Sequence, residues 1–233
     1  MAELAYKSAL IVGAGQGLSG SVAKLFVAHG LKVTLAARSV DDLAPLVEEI
    51  GSDAFACDAS DAAQVAKLFA DLDGAGAAPD VVVYNPSYRT RGPLVDLDPV
   101  EVQRTLTVSA FGGFLVAQQA VRRMLPKRHG AVLFTGASAS VKGYPLSAPF
   151  AMGKFALRGF AQSIARELAP QGIHVAHFVI DGGIRSARRA EPADKPDSLL
   201  DPDAIALSYL HVLQQPRSAW TWEIELRPWV EKF

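Results

Sequence analysis

A glycine-rich stretch near the start of the chain has the composition of a phosphate-binding turn. Four apolar residues at 9–12 lead into a turn that begins at Gly13, and apolar residues three and four apart then mark one face of a helix over 18–26. The amino end of a helix carries unpaired N–H groups and partial positive charge, and glycine lets a pyrophosphate approach the backbone closely. Gly13 and Gly17 fit the spacing G-x-x-x-G-x-G, with Ser19 in the third glycine position. Because ordinary strand-to-helix corners also use glycine, the turn alone is a weak signal.

Phe150 and Lys154 form a second candidate for a ligand-binding position, since they lie four residues apart and share a face of a predicted helix. A lysine among apolar neighbours either extends its charged end to solvent or holds a ligand at a site. The periodicity alone favours extension to solvent.

Polar residues follow the predicted strands. Arg38 stands about 20 residues past the glycines, where dinucleotide-binding folds usually carry an acidic residue; an arginine suits a 2′-phosphate and favours NADP, with NAD possible. The alternative is a solvated surface arginine. Asp58 follows the third strand and either accepts a hydrogen bond from an adenine amine or caps the next helix, with the two interpretations equally favoured.

Two further positions follow the fourth and fifth predicted strands. We predict that Asn85 is mainly structural and lies beside the cofactor. Ser138 and Ser140 could hold a substrate oxygen, but small hydroxyl residues also form turns, and the sequence favours a turn there.

Strand and helix patterns alternate along the whole chain. Strands are predicted at 9–12, 32–37, 54–57, 81–84, 131–134, 174–180 and 220–226, and helices at 42–50, 61–72, 99–125, 148–169 and 201–213 as well as after the glycines. This alternation predicts an α/β fold with a single Rossmann-type, doubly wound parallel sheet of about seven strands and helices on both faces. We predict one domain over 1–233, and ligands at the carboxyl ends of the strands.

The composition argues against several classes of protein. The net charge of −1 provides no field that attracts nucleic acid or an anionic membrane. The single cysteine, Cys57, cannot form an internal disulfide and suits a reducing compartment. No apolar run reaches transmembrane length, residues 1–4 lack the start of a signal peptide, and no Cys/His cluster has metal-ligand spacing. We therefore predict a cytoplasmic protein with no metal.

Together these landmarks resemble the short-chain dehydrogenase/reductase family over nearly the whole chain. The resemblance rests on Gly13-Ala14-Gly15-Gln16-Gly17-Leu18-Ser19, Asp58, Asn85, the Ser138 region, Lys154 and Asp181-Gly182-Gly183-Ile184. It implies NAD(P)-dependent oxidation or reduction of alcohols and carbonyls, by a homodimer or homotetramer packed through the two long helices.

The resemblance also implies a set of cofactor-binding positions. Gly13 and Gly17 would lie under the pyrophosphate, Lys154 would hold the nicotinamide ribose, and the backbone of Ile184 would meet the carboxamide. The full set is Gly13, Gly15, Gln16, Gly17, Leu18, Arg38, Asp58, Ala59, Asn85, Lys154, Gly182 and Ile184.

The sequence departs from the family at the proton-transfer positions. The family's catalytic pair is Tyr-x-x-x-Lys, and Phe150, which has no hydroxyl, stands in the tyrosine position. A positioned acid or base contributes roughly 10²–10⁴-fold to a rate. The family's catalytic serine position falls on Ala137, with Ser138 one place later, and Ser109 replaces an asparagine that anchors a relay water.

Two functions of different class follow. The first is an NADP(H)-dependent oxidoreductase that acts on a small carbonyl or alcohol with an atypical proton donor. Ser138, Lys154 and Tyr144 are the candidate catalytic residues, and Tyr88 and Asp181 are further candidate donors, each with a simpler structural interpretation. The second is a non-catalytic NADP(H)-binding sensor or partner protein.

The loop over 181–200 has no apolar periodicity and, by analogy with the family, is a mobile substrate lid. Its arginines could meet an anionic substrate. A loop of mixed sign is the favoured interpretation, because the charged residues are Arg185, Arg188, Arg189 and Lys195 against Glu191, Asp194 and Asp197.

Overall fold

The protein, described here by a computed structural model over residues 4–230, contains one parallel sheet of seven strands. The strands are β1 Ser8–Val12, β2 Lys32–Ala37, β3 Asp53–Ala56, β4 Val81–Tyr84, β5 Gly130–Thr135, β6 Ile173–Ile180 and β7 Glu223–Leu226. Their order is β3-β2-β1-β4-β5-β6-β7, with every neighbouring pair parallel. Successive strands are added to one side of β1 up to β3 and to its other side from β4 onward. Such sheets bind ligands at this change, between β1 and β4. The predicted Rossmann-type α/β fold is confirmed. The expectation about a signal peptide falls largely on residues 1–3, outside the described part.

Helices cover both faces of the sheet. They are α1 Leu18–Ala28, α2 Ala44–Ile50, α3 Ala62–Gly74, α4 Pro99–Leu106, α5 Gly112–Met124, α6 Ala148–Leu168 and α7 Pro202–Gln214. Alternate residues of β1 enter two separate cores: Ile11 packs with α1, α2 and α7, whereas Leu10 packs with α3, α5 and α6. Burial on both faces explains why the strands are continuous apolar runs. No helix of residues 4–230 has the length and apolar character needed to cross a membrane.

The helix predicted over 99–125 is interrupted. A π-helical segment, Thr107–Phe111, joins α4 to α5. The Tyr84 hydroxyl, at the end of β4, donates a hydrogen bond of 2.6 Å to the Val108 carbonyl inside this segment. Gly112 follows because a Cβ there would collide with the same hydroxyl. No periodic signal in the sequence marks this interruption.

Several predicted boundaries also moved, two of them at the start of an element. The helix expected from residue 42 begins at Ala44, after the 3₁₀ turn Asp41–Leu43. The last strand, expected over 220–226, is shorter because the Trp220 ring stacks on His174 at a centroid distance of 4.5 Å and lies outside the sheet ladder.

Candidate active site

Two adjoining clefts open at the carboxyl ends of the strands. The Lys154 cleft, about 590 Å³, also contains Ser138 and Tyr144, and the Arg38 cleft, about 630 Å³, also contains Asp58. Both are lined by Asn85 and Ser87, which follow β4 at the reversal point of the sheet. The fold therefore brings residues from distant parts of the sequence into two neighbouring compartments.

Gly13 turns the backbone at a position that no other residue fits. Its φ is +76°, and a Cβ there would lie 2.6 Å from the backbone nitrogen of Pro86. The Asn85 amide donates to the Gly13 carbonyl and to the Ser19 hydroxyl, both at 3.3 Å. Asn85 thus ties β4 to the glycine turn, which is a structural role of the kind predicted.

The amino end of α1 is open. Gly17 is its cap residue, no side chain accepts the first N–H groups, and the first turn holds no acidic residue. A Cβ on Gly15 or Gly17 would meet nothing within 4 Å, so free space surrounds the turn. Gln16 is exposed beside it, and Leu18 lines the Lys154 cleft. Such an end favours an anion.

Arg38 is exposed at the Arg38 cleft, across from Asp58. The Asp58 carboxylate accepts hydrogen bonds from the Ser60 hydroxyl at 2.6 Å and from its N–H at 2.9 Å, and the hydroxyl bond leads in holding the pKa of Asp58 below its usual value. The helix-cap interpretation of Asp58 is wrong, because Asp61 caps α3 by accepting two of its first N–H groups. Ala59 is buried beside Asp58.

Lys154 points inward. The residue is only 2% exposed. Its ammonium donates a hydrogen bond of 2.8 Å to the Thr135 carbonyl at the end of β5. The ammonium nitrogen lies 5.9 Å from the centroid of the Phe150 ring. Burial lowers the pKa of Lys154 to about 8. The expectation that Lys154 extends to solvent is wrong, because its face of α6 packs toward the sheet and the cleft.

The loop after β5 is a 3₁₀ turn, Ser138–Ser140, as the sequence favoured. Ser138 hydrogen-bonds the Asp181 carboxylate, which also pairs with Lys142 at 2.8 Å and Arg227 at 3.6 Å. Burial raises the pKa of Asp181, but these hydrogen bonds and charges outweigh it and leave the pKa below its usual value. Asp181 is therefore ionised near neutral pH, so it holds the Ser138 proton and is unsuited as a proton donor.

The two candidate tyrosines lie in different compartments. Tyr144 lines the Lys154 cleft with 45% of its surface exposed. Tyr88 lines the Arg38 cleft, where its hydroxyl donates to Glu101 and the Arg104 guanidinium lies 4.3 Å from its ring centroid. Tyr88 thus lies in a different cleft from Lys154, and its hydroxyl and ring contact α4.

Comparison with known proteins places the chain. A family model described as short chain dehydrogenase matches residues 7–196. The chain belongs to the short-chain dehydrogenase family. It is 31% identical over 180 residues to short chain aldehyde dehydrogenase 1 of Euphorbia lathyris, across 72% of this chain and 61% of that one. A short-chain dehydrogenase from Rhodopseudomonas palustris has a TM-score of 0.78 and 34% identity, covering 95% and 99% of the two chains. An alcohol dehydrogenase from Thermococcus sibiricus, complexed with 5-hydroxy-NADP, shares the fold with a TM-score of 0.84 and 23% identity, covering 97% and 98%.

The segment 181–200, which the family resemblance predicts to be a substrate lid, contains neither a helix nor a regular strand. Ile184 and Leu200 form a parallel bridge whose two hydrogen bonds come from the chain neighbours of Ile184. The N–H and C=O of Ile184 itself are not used in this bridge. Ile184 and Gly182 both line the Lys154 cleft.

A partly buried network that sequence reasoning missed supports the loop that contains Ser138 and Ser140. The Arg158 guanidinium binds the Glu223 carboxylate with two bonds of 2.7 Å, and Glu223 accepts from His177 Nδ1 at 3.1 Å. His177 Nε2 then lies 3.4 Å from the Ser140 hydroxyl, which accepts from the N–H of Ala137 at 3.1 Å. The members come from separate segments, so no local spacing could have indicated them.

We expect His177 to weaken the fold at acid pH. Burial lowers the pKa of His177 to about 4, against an ordinary value of 6.5. Between these values the unfolded chain binds a proton that the folded chain excludes, so the free energy of unfolding falls as the pH drops, by up to about 3 kcal/mol. Urea unfolding between about pH 7 and pH 4.5 measures this slope. His177→Gln should be less stable at neutral pH but show a shallower slope; an unchanged slope would contradict the assignment.

Proposed function

We propose that this protein is an NADP(H)-dependent oxidoreductase that interconverts a small carbonyl compound and its alcohol, with Lys154 as the proton donor. The observation that carries the proposal is the position of the Lys154 ammonium, which is buried in the cleft beside a ring that offers no hydroxyl. Phe150 stands in the position that family resemblance assigns to the catalytic tyrosine. A different acid is therefore needed there.

The two clefts suit NADP(H). The open amino end of α1 would hold the pyrophosphate, and Arg38 would bind the 2′-phosphate in its own cleft. Ile184 and Lys154 would hold the nicotinamide half. Complexes of the Thermococcus sibiricus protein with 5-hydroxy-NADP support this choice. When bound, NADPH supplies the hydride that reduces the carbonyl carbon.

Lys154 would complete the reduction by supplying the proton. One N–H of its ammonium is used by Thr135, which fixes the nitrogen and leaves two N–H groups for a ligand. As negative charge develops on the carbonyl oxygen, one of these protons moves to that oxygen and forms the alcohol. The neutral amine then takes up a proton from water. A pKa of about 8 leaves the ammonium mostly protonated, yet acidic enough to act near neutral pH.

The other two candidates are better suited to orienting the substrate. The Ser138 hydroxyl directs its proton to Asp181 and could reach a carbonyl only by giving up that bond. Tyr144 lies at the exposed side of the cleft. We propose that both contact the substrate without supplying the proton.

Replacing Arg38 by alanine should weaken NADPH binding 10- to 100-fold and leave NADH binding unchanged. The loss corresponds to the roughly 1.5–3 kcal/mol that a hydrogen bond to a charged group contributes. Fluorescence titration of both cofactors measures it, with NADH as the internal control. An equal loss for both cofactors would mean that Arg38 does not face the 2′-phosphate.

The function itself is tested by NADPH oxidation with aldehydes, ketones and oxo acids at saturating cofactor. Turnover with any of these classes supports the oxidoreductase. Tight NADPH binding without turnover of any class would instead favour the alternative, a non-catalytic NADP(H)-binding sensor or partner protein.

We further propose a homodimer or homotetramer that packs through the long helices. Large apolar side chains are exposed together on them, with Phe111 and Phe114 at one end of α5 and Met152 and Phe155 on α6. Such patches mark interfaces. A cytoplasmic location is proposed because Cys57, the one cysteine of the chain, is a buried thiol with a pKa raised to about 11.

A further inference from the structure

The Lys154 cleft is lined by cations, and no aspartate or glutamate of residues 4–230 lines it. Besides Lys154 the positive residues are Arg89, Arg185, Arg188 and Arg189. Two acids in or beside 181–200 already have partners: Asp201 pairs with Arg185, one of these arginines, and Glu191 accepts the N–H of Leu199. The sequence favoured a loop of mixed charge; in the structure, its three arginines line the cleft.

Arg89 lies beside Phe150, whose ring Lys154 also contacts. Its guanidinium carbon lies 5.0 Å from the Phe150 ring centroid, and Nη2 lies 3.4 Å from the hydroxyl of Ser147, the cap residue of α6. The first turn of α6 contains no acidic residue. Arg89 is exposed, but partial desolvation of its guanidinium by the cleft wall, followed by the charges of Arg91 and Arg189, lowers its pKa, and no carboxylate contributes. This corner of the cleft therefore lacks negative charge.

The cofactor does not account for Arg89. In the proposed arrangement its phosphates are held at the amino end of α1 and at Arg38, whereas Arg89 contacts the same ring as Lys154. An anion at Arg89 would belong to the molecule whose carbonyl meets Lys154. Building on the proposed function, we infer that the substrate is an oxo acid, whose carboxylate is bound by the Arg89 guanidinium with Arg189 as a second cation. A guanidinium binds a carboxylate with two parallel hydrogen bonds, which fixes its orientation.

The distance between the Arg89 and Lys154 head groups limits how far apart the carbonyl and the carboxylate of this substrate can be. The two distances to the Phe150 centroid place the Arg89 and Lys154 head groups no more than about 11 Å apart. With one hydrogen bond of about 2.8 Å at each end, a molecule lying between them has roughly 5 Å or less between its carbonyl oxygen and its carboxylate. That separation fits a 2-oxo or 3-oxo acid.

The experiment compares each acid with its neutral ester under NADPH: benzoylformate and benzoylacetate against their methyl esters. We expect kcat/KM to favour the acids by about 10²-fold or more, as one charge-assisted bidentate pair allows. Arg89→Gln should reduce this preference to a few-fold, because it lowers kcat/KM for the acids far more than kcat/KM for the esters. Arg91→Gln is the matched control: it removes an equal charge two residues away, from a residue that is exposed like Arg89 but does not line the cleft, and it should leave the preference for acids over esters unchanged.

A binding measurement separates this inference from the function on which it rests. Calorimetry on the NADP⁺ complex compares mandelate with mandelamide, and we expect mandelate to bind more tightly through Arg89. Esters reduced as well as acids, or mandelate bound no better than mandelamide, would overturn the oxo-acid inference and leave the oxidoreductase intact. Mandelate bound through Arg89 without reduction of any probe would overturn the oxidoreductase but keep the carboxylate site. An equal effect of Arg89→Gln and Arg91→Gln would show a general field and contradict a site at Arg89.

Discussion

Replacing Lys154 by methionine is expected to lower kcat for carbonyl reduction by roughly 10²–10⁴-fold, the contribution of a positioned acid. Methionine has a similar length, and an unbranched apolar chain suits the surroundings that already oppose the lysine charge. The fold should therefore survive, and thermal unfolding should show a stability equal to or above that of the wild type. Single-turnover oxidation of NADPH at saturating substrate isolates this step from cofactor binding, which is titrated separately.

The pH dependence tests whether the ammonium itself donates. Reduction needs protonated Lys154, so kcat for reduction should fall as the pH rises through about 8, and alcohol oxidation, which needs the neutral amine, should rise over the same interval. The double variant Phe150→Tyr/Lys154→Met is a second test. The new phenol hydroxyl would lie near position 154 and could donate the proton, so it should partly restore the rate that Lys154→Met loses. A Lys154→Met enzyme within three-fold of the wild-type rate, or with an unmoved pH profile, would exclude Lys154 as the donor.

The fold was predictable because its signals are local. The β2 strand, Lys32–Ala37, and the β4 strand, Val81–Tyr84, were predicted residue for residue, since each is a short apolar run bounded by polar or breaking residues. The glycine turn and the prolines at helix starts fixed the intervening elements. The π-helical segment could not be predicted in this way, because the tyrosine hydroxyl that contacts it lies on β4, 24 residues before the carbonyl to which it donates.

The sequence indicated many of the residues that line the two clefts, but it did not indicate how these residues are arranged in space. Helical periodicity shows which residues share a face with Lys154, but it does not show that this face meets a cleft beyond the end of β5. The same limit applies to the segment 181–200, where the Ile184–Leu200 bridge helps to set the course of the loop. Charge counts along 181–200 cannot report which charges face the substrate. Tertiary placement decides both questions.

Replacing Gly13 by alanine should destabilise the protein by about 4 kcal/mol. The residue has a φ of +76°, and its new Cβ would lie 2.6 Å from the backbone nitrogen of Pro86 and 2.8 Å from its ring, neither of which can move freely. A left-handed conformation costs alanine about 1–2 kcal/mol, and overpacking adds about 1–3 kcal/mol. For a chain of this size the midpoint of thermal unfolding should fall by roughly 10 °C.

Gly15→Ala is the matched control, and it tests the phosphate site at the same time. A Cβ at Gly15 meets nothing within 4 Å, so stability should change little. The methyl group would instead occupy space that we assign to the pyrophosphate, and NADPH affinity should fall although the fold is intact. If Gly13→Ala and Gly15→Ala were equally stable, the strain at Gly13 would be absent. If Gly15→Ala bound NADPH like the wild type, the cofactor would not lie against this turn, because only a ligand in contact with the backbone can detect one added methyl group there.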